Sequence, residues 1–395
     1  MNEHKAVPNI RFKGFEDEWS EKKLDNVVAV IMGQSPSSSN YHDHQVNHSM
    51  ILIQGNADIE NNKIKPRLWT TQITKETIPN DIILTVRAPV GEVAKNDFDA
   101  VIGRGVAALR GNRFLYYYLE NINQIGYWNR ISTGSTFMSI SSDDIKEVKI
   151  SLPRCKEQKY IYTFFTKLDK LLDLQQQKID KLELLKKALL QKLFPKHDAK
   201  VPELRFKDYD QEWEEKKFSS LYKKCNEKNN LSFGSNKIIS VANMYYKKDN
   251  VKSDDNYMRT YNIFRLGDIA FEGHKSKKFT FGRFVENTIG DGIVSHVFEV
   301  FRPISNGDIT YWKYAIHNED FIARILMKST VKATMMNNLI AKDFLKQRVP
   351  VPQLSEQQKI GNLLSKIDQL IELENKKLQN FQQVKKCLLQ NMFVD

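Results

Sequence analysis

Fifteen side chains of this 395-residue chain have donor and acceptor groups suited to nucleic acid, and they fall in two separate groups. The first holds Arg87, Arg104, Asn129, Arg130, Thr133, Ser135 and Thr136. The second holds His274, Lys275, Lys277, Lys278, Arg283, His296, Lys332 and Asn337. Forked and amide groups match base edges, whereas lysine, serine and threonine match phosphates. The run Ser132-Thr133-Gly134-Ser135-Thr136 offers small hydroxyls and open backbone amides to a phosphate. Lys275-Ser276-Lys277-Lys278 is the densest basic cluster in the second group. Taken singly, each charged residue reads first as a solvated surface group. Weight comes only from their grouping.

Other chemistries find little support. His42, His44 and His48 with Asp43 sit in a polar stretch without a cysteine, so no metal is expected there. Gly103-Arg104-Gly105 lacks the third glycine of a dinucleotide turn, and no Gly-x-x-x-x-Gly-Lys phosphate loop occurs. The Asn/Asp-Pro-Pro-aromatic site typical of amino-methyltransferases is missing because no Pro-Pro pair occurs. Glu21-Lys22-Lys23 and Glu215-Lys216-Lys217 resemble a Glu-x-Lys nuclease fragment but lack an upstream acidic partner, and we read them as helix-start charge. Trp19 and Trp213 are expected to be packing anchors. No catalytic residue and no cofactor are therefore expected in this chain.

The formal charge of +12 favours a polyanionic partner, although a membrane surface attracts the same sign. The first 154 residues are balanced, with 18 basic and 18 acidic side chains, so the excess lies further along. Cys155, Cys225 and Cys387 are widely spaced and offer no disulfide or zinc framework, which fits a reducing cytoplasm. The beginning lacks an apolar signal core, and no run of about 18 apolar residues occurs. A soluble cytoplasmic protein without a membrane partner is expected.

The elements that must carry these groups are duplicated. VPNIRFKGFEDEWSEKKL begins at Val7 and VPELRFKDYDQEWEEKKF at Val201, with ten of 18 positions identical. A second pair begins at Pro153 and Pro352 and matches at 15 of 42 positions. It includes Glu157/Glu356, Gln158/Gln357, Asp169/Asp368 and a closing Lys-Lys-x-Leu-Leu-Gln-x-x-Phe. Between these flanks the copies diverge, apart from landmarks such as Asn80-Asp81-Ile82-Ile83 against Gly267-Asp268-Ile269-Ala270. Similar frames with dissimilar inserts suggest one job performed on two targets.

The second pair of flanks reads as long helix, free of glycine and proline over 157–194. Phe165, Leu168, Leu172, Ile179, Leu182, Leu189 and Leu193 form a heptad seam interrupted at Gln175 and Lys186. Leu364, Ile367, Ile371, Leu378, Phe381, Leu388 and Met392 repeat it, interrupted at Glu374 and Lys385. A helix packed on its own domain is the plainer reading, but such stripes need a partner, and the economical one is the other copy. Parallel pairing would suit a symmetric dimer. Antiparallel pairing, which lets one chain close on itself with pseudo-twofold symmetry, is preferred. The inserts predict compact α/β domains. Strands are expected near 50–54, 82–86, 101–109 and 148–152, with a helix near 113–122. In the second copy strands are expected near 238–242, 267–271 and 293–302, with a helix over 309–317. The predicted layout is a first domain over 1–154, a first spacer helix over 155–200, a second domain over 201–350 and a second spacer helix over 351–395.

Duplicated Pro-x-x-Arg-Phe…Glu-Trp starts, divergent inserts and repeated Pro-x-x-x-Glu-Gln helices resemble the specificity subunits of type I restriction–modification enzymes. The likeness spans essentially the whole chain. It implies two target recognition domains, each reading one half of a split double-stranded DNA sequence. It implies that the helices set the spacing and dock two methyltransferase subunits, with motor–nuclease subunits completing the enzyme. S-adenosylmethionine, ATP and magnesium would belong to those partners. On the residues alone the rival is a non-catalytic coiled-coil scaffold with two ligand-binding domains that ignores DNA, and absent DNA affinity would identify it. A self-contained nuclease or methyltransferase would instead show activity by itself.

Overall fold

The two heptad segments are helices of 38 and 39 residues, Cys155–Lys192 and Leu354–Met392. In a computed structural model of the chain, the described residues are 7–131, 138–196, 199–247, 254–274, 276, 279–332 and 336–394. All the seam residues, with the polar interruptions, are buried or half-buried. Off the seam, Leu171 is 43% and Leu184 67% exposed, whereas Leu389 beside the seam is fully buried in the core of unit 1. The apolar period of 3.5 residues thus decided which stripe is covered.

The chain divides into two units, residues 1–176 with 377–395 and residues 177–376. In unit 1 the Phe165 and Phe393 rings lie 5.8 Å apart, and Lys385 Nζ lies 2.8 Å from Asp169. In unit 2 Lys178 meets Glu374 at 2.9 Å and Lys186 meets Asp368 at 2.5 Å. In each unit numbering rises along one helix as it falls along the other, so the pairing is antiparallel. The closing phenylalanines change sides: Phe194 of the first copy is buried in the core of unit 2, and Phe393 of the second copy in the core of unit 1. Each unit is therefore completed by the end of the other copy's helix.

The repeated starts lock onto the helices. Arg11 donates from Nε and a terminal nitrogen to both oxygens of Glu157, at 2.7 and 2.8 Å. Arg205 does the same to Glu356, at 2.8 and 2.9 Å. Gln158 and Gln357 each donate back to the carbonyl of the proline five residues earlier, Pro153 and Pro352. Trp19 and Trp213 are buried anchors, Trp19 packing edge-on to Phe393 and Trp213 to Tyr311. The Glu-Lys-Lys runs correct their reading as helix-start charge. They lie in exposed strands, Ser20–Lys23 paired with Lys149–Leu152 and Glu214–Lys217 with Arg348–Val351. Pairing with a segment some 130 residues away leaves no periodic trace in a four-residue strand.

Each divergent insert contains its own sheet, with the same order of its four main strands. In unit 1 the strands Ala29–Met32, Val106–Arg110, Ile82–Thr85 and Val93–Lys95 lie side by side in that order, extended by two short strands. In unit 2 the order is Tyr222–Cys225, Glu299–Pro303, Ile269–Glu272 and Arg283–Glu286. A helix, Phe114–Gln124 or Ile309–Ala315, follows each. Unit 1 adds a five-stranded sheet that includes Met50–Ile53 and Ala100–Ile102. The single strand expected over 101–109 is two strands in different sheets, separated at 103–105. Glycine is required there, since a Cβ on Gly105 would lie 2.1 Å from the Gln54 carbonyl oxygen. The expected strand over 293–302 divides in the same way at 295–298. Helix Glu319–Ser329 was not anticipated.

Candidate nucleic-acid interface

Both sheets are anchored at one end by a buried carboxylate. Asp81 and Asp268, at 2% and 1% exposure, follow residues in the left-handed region, Asn80 (φ 77°) and Gly267 (φ 83°). Asp81 receives two hydrogen bonds from Arg110 at 3.0 and 2.9 Å, and Asp268 receives the matching pair from Arg302 at 3.1 Å each. Each also accepts the backbone N–H three residues earlier, from Ile78 or Arg265. Asn96 and Asn287, both fully buried, donate to nearby carbonyls beside them. The two inserts are thus held by the same polar frame. The landmark Asn80-Asp81 against Gly267-Asp268 was its visible trace, while the arginine and asparagine partners gave no sequence signal.

At the other end of each sheet stand four of the candidates. Val86 N–H donates to Gly105 O at 2.9 Å, continuing the ladder between Ile82–Thr85 and Val106–Arg110. Arg87 and Arg104 therefore emerge at the same edge, both exposed. In unit 2, His274 follows Ile269–Glu272 and His296 precedes Glu299–Pro303, again both exposed.

The remaining candidates divide. Asn129 and Arg130 are exposed in the short helix Tyr127–Ile131, not in a loop, and Arg130 donates to Ile125 O at 2.9 Å. Lys332 is exposed at the end of strand Thr330–Lys332. Arg283 and Asn337 already have internal partners. Arg283 donates to Glu272 at 2.6 Å and to Ala242 O, and lies over the Phe279 ring. Asn337 is 3% exposed and donates to Thr280 O at 3.0 Å. Both are used internally because folding brings an acceptor to them that chain position does not reveal. Thr133, Ser135, Thr136, Lys275, Lys277 and Lys278 lie outside the described residues. Among the described residues no group of three or more His, Cys, Asp or Glu is placed to hold a metal ion, and no helix is long and apolar enough to cross a membrane.

The two units thus share a buried frame, differ at their exposed edges and are each closed by the end of the other copy's helix. The chain belongs to the type I restriction modification DNA specificity domain family, whose model matches residues 16–184 and 210–383. It is 32% identical over 197 residues to the type I restriction enzyme MjaX specificity subunit of Methanocaldococcus jannaschii, covering 48% of this chain and 45% of that protein. It is 29% identical over 192 residues to the MjaIX specificity subunit of the same organism, covering 44% and 42%. The matched stretch thus spans less than half the length of these curated relatives. The crystal structure of the type I restriction–modification S subunit from M. genitalium shares the fold, with TM-score 0.60 at 17% identity over 98% of this chain and 99% of that one. A chain from a structural study of type I restriction–modification complex assembly and conformational transition has TM-score 0.57 at 15% identity, covering 95% and 97%.

Proposed function

We propose that this chain is the sequence-reading subunit of a type I restriction–modification complex, each unit recognising one half of a split target in double-stranded DNA. The domains are those over 1–154 and 201–350, and the segments 155–200 and 351–395 act as spacers that set the gap between half-sites. The chain performs no catalysis. S-adenosylmethionine, ATP and magnesium serve its methyltransferase and motor–nuclease partners, and the assembly works in the cytoplasm. The observation that carries this reading is the duplicated Asp81–Arg110 and Asp268–Arg302 frame beneath edges of unlike composition. A frame shared by both copies with unlike edges is what two different half-sites require, since phosphate contacts position a reader and edge contacts specify the base.

Docking of two methyltransferase subunits is supported by an apolar pair that recurs on the helices. Leu171 and Leu174 in unit 1, and Leu370 and Leu373 in unit 2, are between 43% and 53% exposed. Residues three apart share a helix face, so each pair forms a small apolar patch open to a partner. The test is to map methylated adenines in cells carrying the partner subunits, with and without this chain. A bipartite methylated motif that depends on the chain is expected. Methylation that is indifferent to the chain would refute the reading.

A further inference from the structure

We propose that Arg87 with Arg104, and His274 with His296, are equivalent specificity-determining pairs, so that the two units read bases with different chemistry from one structural position. This deepens the reading above and rests on it. The equivalence follows from register. Ile82 faces Leu109 across the first sheet, and Ile269 faces Phe301 across the second. Counting outward from these rungs, Arg87 and His274 each lie five residues beyond the first strand position. Arg104 and His296 each lie five residues before the partner position.

Local geometry agrees independently. Arg104 is the second residue of a turn closed by Val106 N–H to Gly103 O at 3.1 Å. His296 is the second residue of a turn closed by Phe298 N–H to Ser295 O, also at 3.1 Å. Arg87 forms an isolated antiparallel bridge with Ser139, and His274 forms the same bridge with Met336. Shared frames thus deliver two side chains to the same place in each unit.

The availability of these groups sets them apart. In unit 1 the other arginines are occupied: Arg11, Arg67, Arg110 and Arg154 by carboxylates, Arg113 by Asn80 and Tyr162, and Arg130 by Ile125 O. Arg87 and Arg104 make no side-chain hydrogen bond or ion pair among the described residues, and the same holds for His274 and His296. A free guanidinium is a two-pronged donor that fits the O6 and N7 acceptors of guanine. An imidazole presents two separate ring nitrogens and cannot make that fork. Unit 1 is therefore assigned a guanine-containing half-site, and unit 2 a half-site read by single hydrogen bonds.

The experiment expresses the full chain with its methyltransferase subunits and determines both methylated motifs and duplex affinity. Variants are R87A, R104A, H274A and H296A, with R87K and R104K as charge-preserving controls. Expected is a loss of discrimination of about 10- to 100-fold at a guanine in one half-site for either arginine variant, without rescue by lysine. The histidine variants should alter only the other half-site. The proposal is overturned if arginine variants weaken all sequences equally, if lysine restores discrimination, or if either pair changes both halves. It is also overturned if all motifs stay unaltered. A wild-type chain that directs no motif would sink the underlying reading instead, and that result is distinct from all of these.

Discussion

Glu157 and Glu356 have almost no contact with water, at 1% and 0% exposure, and each depends on one guanidinium. Removing one member of such a buried pair leaves an uncompensated charge, which costs about 3–5 kcal/mol, whereas replacing both by apolar groups costs far less. Arg11→Ala should therefore lower stability to urea by about 3 kcal/mol, and an Arg11→Met, Glu157→Leu double variant should recover most of that loss. Glu286 shows the opposite case. It occupies the strand position of Lys95, 3% exposed, with one carboxyl oxygen lacking a partner among the described residues. Burial, reinforced by the charge of Asp308, raises its pKa well above the usual carboxyl value. A raised folded-state pKa means stability is greatest below the unfolded value of 4.5 and declines as pH rises through the folded one. Glu286→Gln should thus raise the melting temperature at pH 8 and give a smaller gain at pH 4, measured by thermal unfolding across that range.

The helices show how a duplicated element can pair specifically with its copy. Asp169 and Asp368 are the same position in the two repeats, as are Lys186 and Lys385. Each aspartate pairs with the other copy's lysine and accepts a 2.7 Å hydrogen bond from a tyrosine of the adjoining insert, Tyr117 or Tyr314. The surroundings differ. Lys385, 11% exposed, also binds Glu120 at 2.7 Å, while Lys95 reaches Asp169. Burial works against the charge of Asp169, yet the two lysines outweigh it and hold its pKa below the usual value. Burial prevails at Glu120 and raises its pKa. Lys186 is 31% exposed, and among the described residues its ion-pair partner is Asp368 alone. Lys385→Met should accordingly cost about 3–5 kcal/mol, and Lys186→Met about 1 kcal/mol, in matched denaturant titrations. Equal losses would show that burial does not distinguish the two crossings.

For the whole molecule, the two units should be separable in what they read but not in how they are built. Exchanging residues 25–150 for the corresponding segment of another family member should change one half of the methylated motif and leave the other intact. A change in both halves would contradict independent reading. Adding four residues at Gln175 shifts the seam by about one helical turn. It should therefore alter the gap between half-sites or abolish binding, as read by methylated-motif sequencing. An unaltered motif and gap would rule out the spacer role.

The sequence by itself determined the duplication, the two helices and most of their covered stripe, while their antiparallel direction, a preference on grounds of economy, was decided by the contacts between them. Heptads and repeats are periodic signals that survive in one dimension. It also marked Arg87, Arg104, His274 and His296 as groups with suitable chemistry. Only the tertiary structure decided that these four form two matched pairs, because their equivalence rests on ladder register between strands 20 or more residues apart. The same contacts, invisible in chain order, gave Arg283 to Glu272, buried Asn337, made strands of the Glu-Lys-Lys runs and sent each copy's closing phenylalanine into the other copy's core.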